Sequence, residues 1–232
     1  MTTTAPKTAP PGEIPREARL TLAVASLAVL AVFLDTTVLF VAFPDIVATF
    51  DSVAPAQLSW VLNAYTIVFA ALLVPAGKFA DRLGHKRAFL AGSVLFTVAS
   101  MACGLAPSAG VLIAFRVVQA VGAATLIPSS LALLLRAFPP AKVPFAVAIW
   151  GASGAVAGAL GPTLGAVLVE AASWRWVFFI NLPVGLFTVV AGRRVLRESK
   201  DETAILPAPV GVVLIALAAG LVSLGLVQSD SW

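Results

Sequence analysis

The chain has 232 residues, of which 60% are hydrophobic and only 11% are charged, and its mean hydropathy is +1.01. No soluble domain of this size hides so much apolar surface, so the composition indicates an integral membrane protein. The formal net charge of +4 does not indicate a nucleic-acid-binding protein, because the basic residues lie in separate loop clusters instead of on one folded face. The single cysteine, Cys103, lies in an apolar run, which excludes a disulfide framework and a Cys/His metal site.

Residues 1–19 contain four prolines and three basic residues but no apolar core, so we expect a disordered cytoplasmic tail instead of a signal peptide. Seven apolar runs follow, and each is long enough to cross about 30 Å of hydrocarbon as a helix. Helices are expected because lipid offers backbone N–H and C=O groups no hydrogen-bond partners. The runs lie at 20–43, 58–76, 88–106, 111–135, 144–169, 177–195 and 207–228.

These runs predict an all-α integral membrane protein: a six-helix bundle at 20–196, a polar cytoplasmic linker at 197–206, and a seventh transmembrane helix with its outer end at 207–232. Thirteen of the 15 lysines and arginines lie in the tail and in the loops on one side of the predicted membrane, whereas the opposite loops contain only Arg175. Because cytoplasmic loops are rich in Lys and Arg, we expect a cytoplasmic N-terminus and a location in the cell (inner or plasma) membrane.

A short polar stretch, GKFADRLGHKR at 77–87, separates the second and third apolar runs. Its two glycines permit backbone angles that are closed to other residues, which allows a tight turn. The excess of positive charge in cytoplasmic loops accounts for its basic residues without any further function. That rule does not account for Gly77, Asp81 and Gly84 at their spacing beside Arg82.

The pattern Gly-x-x-x-Asp-Arg-x-Gly-x-Lys-Arg resembles the loop between spans two and three of the major facilitator superfamily, with His85 where that family usually has Arg. The resemblance implies a cytoplasmic gating loop, and we expect Asp81 to engage a helix N-terminus in a second half of the transporter. Without that second half, Asp81 is expected to have only local partners. The residues assigned to the gate are Gly77, Asp81, Arg82, Gly84 and, at the inner end of the fourth run, Arg136.

Two charged residues lie inside apolar runs, Asp35 in the first run and Arg116 in the fourth. A carboxylate inside a span costs about 2.5–3.5 kcal/mol on insertion scales, so a partner or a water-filled cavity is expected. Counted from the outer ends of their helices, Asp35 lies about 12 Å deep and Arg116 about 10 Å deep. These matching depths predict a pair across one cavity. The alternative for Asp35 is a solvated acid at a helix end.

Three uncharged polar residues are candidates for the wall of the same cavity. Gln119 lies one turn from Arg116 on the same helix face. Asn63 in the second run and Asn181 in the sixth are weaker candidates, because an asparagine inside a span also serves simply to bond a neighbouring helix.

Three further segments resemble motifs of known transporters. LDTTVLFVAFP at 34–44 resembles the first-span motif of the fourteen-span drug–proton antiporters (the EmrB/QacA subfamily), with Phe40 in place of the usual Asn. LIAFRVVQAVGAA at 112–124 resembles the fourth-span motif of the superfamily, with Ala120 in place of a Gly. WRWVFFINLPVG at 174–185 is similar to the fifth-loop and sixth-span signature of the same subfamily and is the most specific of the three.

The fifth run contains glycines at alternating intervals of three and four residues, which places them on one stripe of a helix. Such a stripe lets a second helix approach closely, and Pro162 introduces a kink beside it. Gly-Pro-x-x-Gly at 161–165 resembles the antiporter motif of the superfamily, with Ala166 in place of a final Gly. A packing face and a role in sealing the pore are both open, and in the family the partner helix belongs to the second half. The residues are Gly151, Gly154, Gly158, Gly161, Pro162 and Gly165.

The resemblance implies proton-driven efflux of hydrophobic, often cationic compounds, with Asp35 and Arg116 in proton coupling and with no metal and no cofactor beyond the proton gradient. An enzyme is not expected, because the sequence contains no nucleophile–base pair, metal cluster or phosphate-binding loop. A seven-span receptor or retinal protein is a remote alternative, since 207–228 contains no Lys for a Schiff base.

Transporters of this superfamily consist of two six-helix halves, each a pair of inverted three-helix repeats. The motifs and the predicted helices correspond to one such half, so we expect a fragment whose partner is a missing C-terminal half. A transport-incompetent half that associates with another chain is the alternative.

Overall fold

The computed structural model describes residues 14–200 and, beyond them, residues 210, 211, 213, 214, 217, 218, 221 and 222. Its helices are α1 (Arg16–Thr49), α2 (Pro55–Leu58), α3 (Trp60–Leu83), α4 (His85–Gly104), α5 (Ala109–Ala137), a 3₁₀ turn (Pro140–Lys142), α6 (Val143–Ala171), α7 (Trp176–Phe179) and α8 (Asn181–Val195). No strand occurs among these residues. Six helical segments within 14–200 are long and apolar enough to cross a membrane, which confirms the predicted all-α membrane fold for the first six spans.

The observed helices extend beyond most of the predicted spans. Helix α1 begins at Arg16, so residues 16–19 of the predicted tail are helical. Pro15 precedes the helix and Glu17 lies in its first turn, where the helix dipole favours a negative charge. The rest of the predicted tail up to residue 13, the linker from 201 onward and most of the predicted span at 207–228 lie outside the described residues.

The polar stretch at 77–87 is not a loop but a turn of one residue. Helix α3 continues to Leu83 and α4 begins at His85, so Gly84 alone separates two helices. Gly84 has a φ of 104°, a backbone conformation that side-chain-bearing residues rarely adopt. Most of the basic residues in this stretch therefore sit on helix ends, which the sequence pattern did not reveal.

Consecutive spans run in opposite directions. One end of the bundle, which we call the basic end, therefore contains the starts of α1, α4 and α6 and the ends of α3, α5 and α8. A small cluster of buried residues from α1, α5, α6 and the residue that follows α5 closes this end: Ala18, Leu134, Phe138 and Ala146. At the opposite end, the indole N–H of Trp174 donates to Thr49 Oγ1 at 2.9 Å and ties the segment before α7 to the end of α1.

Helix α1 is the central element of the bundle and is buried along most of its length, mainly through alanines and valines that let α5, α6 and α8 pack against it. Helix α6, in contrast, is peripheral and buries only Ala146, Ala157, Gly161 and Gly165. One part of its exposed face is bulky and apolar, as expected of a surface in contact with lipid. The large exposed side chains of α6 are Phe145, Ile149, Val156, Leu160 and Val167.

The glycine stripe of α6 has its partner within the same bundle. A Cβ placed on Gly161 would lie 2.5 Å from Cβ of Thr37, and one on Gly165 would lie 3.0 Å from the carbonyl oxygen of Val38. The hydroxyl of Thr37 also donates to the carbonyl oxygen of Ala157 at 3.2 Å. The expectation that the partner helix of this stripe belongs to a second half is therefore wrong for these glycines, because α1 fills that place.

The other edge of the stripe is open. A Cβ on Gly151 or Gly158 would meet nothing within 4 Å among the described residues, whereas one on Gly154 would touch the ring of Phe33 at 3.3 Å. A partner for Gly151 and Gly158 outside this bundle stays a prediction.

This asymmetry predicts different effects for two alanine substitutions. Gly161→Ala should lower the thermal unfolding midpoint of the purified protein, because overpacking against Thr37 costs about 1–3 kcal/mol. Gly158→Ala is the matched control, since both changes bring the same gain in helix propensity but Gly158 faces open space. Equal midpoints for the two variants would contradict the packing of α6 against α1.

A buried polar cluster as candidate functional site

Asp35 on α1 and Arg116 on α5 form an ion pair inside the bundle. Nη1 of Arg116 lies 2.6 Å from Oδ2 of Asp35, and each side chain is 1% exposed. The proximity predicted from their matching depths is thus confirmed. Two buried charges require both mutual pairing and hydrogen bonds to their remaining polar atoms, because desolvation opposes their burial.

The remaining contacts of Arg116 supply these bonds. Its Nε donates to the carbonyl oxygen of Val61 at 3.1 Å, and its Nη1 donates also to Oε1 of Gln119 at 2.8 Å. The guanidinium carbon lies 4.0 Å from the centroid of the Tyr65 ring, which is the geometry of a cation–π contact. Helix α3 therefore holds the arginine from one side while α1 holds it from another.

The second carboxylate oxygen of Asp35 accepts from two amides. Nε2 of Gln119 and Nδ2 of Asn181 each lie 2.8 Å from Oδ1. Three donors around one carboxylate fit its ionised form, which only accepts hydrogen bonds. Gln119 bridges the ion pair, since its oxygen faces Arg116 and its nitrogen faces Asp35.

Asn181 extends the cluster to a fourth helix. Its Nδ2 also lies 3.0 Å from Oγ of Ser100, and that hydroxyl donates to the carbonyl oxygen of Phe178 at 2.9 Å. Helices α1, α5 and α8 therefore meet at the carboxylate of Asp35, and α4 joins them through the bond between Ser100 and Asn181. A change in the charge of Asp35 would therefore act directly on its contacts with α5 and α8 and, through Asn181, on α4.

The cluster contains two of the three predicted cavity residues. Gln119 and Asn181 are fully buried and bonded to Asp35, whereas Asn63 is half-buried and donates to Ser59 Oγ at 3.4 Å at the start of its own helix. The structure does not bring Asn63 to the cluster. Contact of any of these residues with a substrate stays a prediction.

Sequence reasoning did not assign Tyr65, Ser100 or Cys103 to the site. Tyr65 is the single tyrosine of the chain and lies in an apolar span, so its position was a usable signal. Its hydroxyl is buried and has no hydrogen-bond partner within the described part of the chain. Cys103 Sγ lies 3.7 Å from Oε1 of Gln119. Ser100 could not be singled out, because small polar residues are common in packed spans. Cys103 was noted as the single cysteine in an apolar run, but that position does not reveal a contact with Gln119.

The gating residues lie at the basic end, away from this cluster. Oδ1 of Asp81 is 3.4 Å from Nε2 of His85, and Oδ2 is 3.9 Å from Nζ of Lys78. Both partners lie within four residues of Asp81, as expected for local partners only, but Arg82 is not one of them. Adjacent residues on a helix point about 100° apart, which separates the two side chains.

The other gating residues have different surroundings. Gly77 packs on Pro128 of α5, since a Cβ there would lie 3.4 Å from Cβ of that proline. Arg136 is exposed in the last turn of α5. The structure gives Arg136 no ion pair with an acidic residue in the described ranges.

Comparison with known proteins indicates the protein family of this chain. A family profile described as Major Facilitator Superfamily matches residues 25–227. The tetracenomycin C resistance and export protein of Streptomyces glaucescens is 38% identical over 213 residues, which are 91% of this chain and 39% of that protein. The multidrug export protein EmrB of Escherichia coli is 37% identical over 197 residues, which are 84% of this chain and 38% of that protein. The chain thus spans well under half the length of these relatives.

Solved structures share the fold. A bacterial homologue of the human lysosomal transporter Spinster, in an inward-facing and unoccupied conformation, aligns with a TM-score of 0.64 at 23% identity over 84% of this chain and 47% of that one. The peptide transporter POT in complex with sulfate aligns with a TM-score of 0.71 at 13% identity over 97% of this chain and 47% of that one. At these identities the likeness establishes the fold alone.

Proposed function

Because the chain belongs to the Major Facilitator Superfamily, we propose that it forms the first six-helix bundle of a proton-coupled multidrug efflux transporter. The observation that carries this proposal is the buried cluster around Asp35, in which one titratable group joins three helices, α1, α5 and α8. The names of the relatives, a tetracenomycin C resistance and export protein and a multidrug export protein, support small molecules as substrates. The proton gradient is the energy source, and no cofactor is required.

Asp35 is the group through which the proton acts. In its ionised form it balances the charge of Arg116, at a depth where neither side chain meets water in this conformation. Protonation removes that balance and leaves a guanidinium with no counter-charge in a low-dielectric interior, which is costly. The bundle then relaxes toward a conformation in which Arg116 reaches water. A cationic substrate that binds near a protonated Asp35 favours the ionised carboxylate and so displaces its proton, which makes proton and substrate exclude each other.

We place the basic end in the cytoplasm, because the loops there contain most of the lysines and arginines. Asp81 at that end engages a helix N-terminus of the second half when the cytoplasmic side is closed. The open edge of α6, at Gly151 and Gly158, is the surface on which we place the second half of the transporter.

A second candidate, a half that is transport-incompetent by itself and associates with another chain, has the same structural support, since the open edge of α6 does not identify its occupant. Both candidates share the proton-coupling cluster. The two candidates differ in whether the partner bundle is covalently linked. The polypeptide mass of the purified transport-competent species, measured under denaturing conditions, distinguishes them.

The test of the proposed function is transport itself. Cells that express the protein should extrude a lipophilic cationic dye such as ethidium, and a protonophore should stop the extrusion while ATP remains available. An imposed pH gradient should restore it in vesicles without ATP. Extrusion that resists the protonophore, or that requires ATP, would contradict proton coupling.

A further inference from the structure

The segment that follows α8 folds back onto the first turn of α4. The carbonyl oxygen of Ser199 accepts from the backbone N–H of His85 at 2.9 Å. The carboxylate of Glu198 accepts from the backbone N–H groups of Lys86 at 3.0 Å and of Arg87 at 3.2 Å. The first N–H groups of a helix have no partner within the helix, and the helix dipole favours an anion there. Glu198 and Ser199, which follow the sixth span, thus accept hydrogen bonds from the three backbone N–H groups at the start of the third span.

Side chains tighten this contact from both sides. Nζ of Lys86 donates to the carbonyl oxygen of Arg193 in the last turn of α8 at 2.9 Å, and Nε of Arg87 lies 3.7 Å from Oε2 of Glu198. At Gly84, a Cβ would lie 2.7 Å from the carboxyl carbon of Glu198 and closer still to Oε1. The carboxylate therefore occupies the space that any side chain at position 84 would need.

The first turn of α4 also contacts Asp81, which lies near the end of α3. His85 opens α4, is 2% exposed, and points Nε2 at Oδ1 of Asp81 across 3.4 Å. The backbone N–H of His85 donates to the carbonyl oxygen of Ser199. A continuous chain of contacts therefore leads from the segment after α8, through the first turn of α4, to the acidic residue of the gate.

From this chain of contacts we propose that Glu198 is a positioning residue for Asp81. It fixes the first turn of α4, and that turn fixes Asp81 through His85. The segment between the sixth and the following span is thereby coupled to the gate, so that a pull on the linker is transmitted to Asp81. This inference rests on the gating role within the proposed function, but its contacts do not depend on transport.

The competing explanation is a local helix cap that stabilises α4 and has no effect on Asp81. A cap alone predicts faster amide exchange in α4 when the carboxylate is lost, and nothing more. Positioning predicts, in addition, that the effects of changing Glu198 and Asp81 depend on each other.

The first measurement is hydrogen exchange of the peptide that begins at His85. Glu198→Gln should accelerate exchange of its first amides by at least about tenfold, because hydrogen bonds to a charged group are lost. Glu17→Gln is the matched control. It removes the neighbouring pair of Glu17 with Arg197, whose side chains are 61% and 81% exposed, and should leave this exchange unchanged. Unchanged exchange in Glu198→Gln would overturn the capping contact itself.

The second measurement is a double-mutant cycle read by thiol labelling in nanodiscs. Val74→Cys is the reporter, because Val74 is 58% exposed and lines a cavity together with Asp81 and His85. Cys103 is fully buried and should not react. Glu198→Gln and Asp81→Asn should each raise the labelling rate by about threefold, the scale of one partly exposed contact. The double variant should show no more than the larger single effect.

A double variant whose rate is the product of the two single effects would overturn the proposal, as would a Glu198→Gln variant that labels like wild type. If Glu198→Gln does not accumulate, Glu198→Asp enters the same cycle under the same criterion, since it keeps the charge but is one methylene too short. Labelling needs no transport. Interdependent effects in a protein that exports nothing would leave the coupling in place and remove only the proposed function.

Discussion

An Asp35→Asn variant is expected to lose proton-driven efflux completely while it still inserts into the membrane. Asparagine keeps the size of the side chain and one accepting oxygen, so contacts with Gln119 or Asn181 survive in part. It neither gains nor releases a proton, and an imposed pH gradient then has no group to act on at this site. The measurement is dye efflux from vesicles under an imposed pH gradient, at matched protein content.

Asp45→Asn is the control for this variant. Asp45 lies on the same helix but is exposed near its far end, so the change removes a carboxylate from α1 without touching the cluster. It should keep wild-type efflux. Coupled efflux by Asp35→Asn at the wild-type rate would remove Asp35 from the mechanism.

The largest loss of stability is expected from Arg116→Ala. The substitution leaves the carboxylate of Asp35, with a side chain only 1% exposed, without a cationic partner. Removing one partner of a buried ion pair costs about 3–5 kcal/mol, so the thermal unfolding midpoint in detergent should fall well below that of the wild type. Arg116→Lys should fall less, because an ammonium keeps the charge but lacks the planar fork that reaches Asp35, Gln119 and Val61 together.

Arg194→Ala serves as the matched control for loss of an arginine. Arg194 is exposed in the last turn of α8, and such a surface change is usually within about 0.5 kcal/mol of wild type. Equal unfolding midpoints for Arg116→Ala and Arg194→Ala would show that the buried pair contributes no net stability.

The sequence predicted the pairing of Asp35 with Arg116 because depth in a membrane follows directly from the rise of a helix. It did not predict which asparagine joins them. Asn63 and Asn181 both lie within apolar spans, and rotation about the helix axis decides which one faces the cluster. A span that is apolar on all sides carries little information about its rotation, so packing settles the choice.

Contacts between segments far apart in the chain could not be predicted from the sequence either. Glu198 appeared as part of a polar linker, yet its carboxylate bonds to backbone groups of Lys86 and Arg87, more than a hundred residues away. The glycine stripe of α6 was recognised, but its division between α1 and an open edge depends on a helix crossing that spacing alone does not specify. Local patterns reveal which faces can pack and leave the partner open.

The most direct measurement of the central claim, that Asp35 exchanges a proton for the substrate, is the pH change on addition of a cationic substrate to the purified protein in weak buffer. At a pH at which Asp35 is protonated before the substrate is added, wild-type protein should release up to about one proton per substrate bound, because ligand binding and proton binding at one site are reciprocally linked. Asp35→Asn should bind saturating substrate without release. Equal proton release from both proteins would contradict the account.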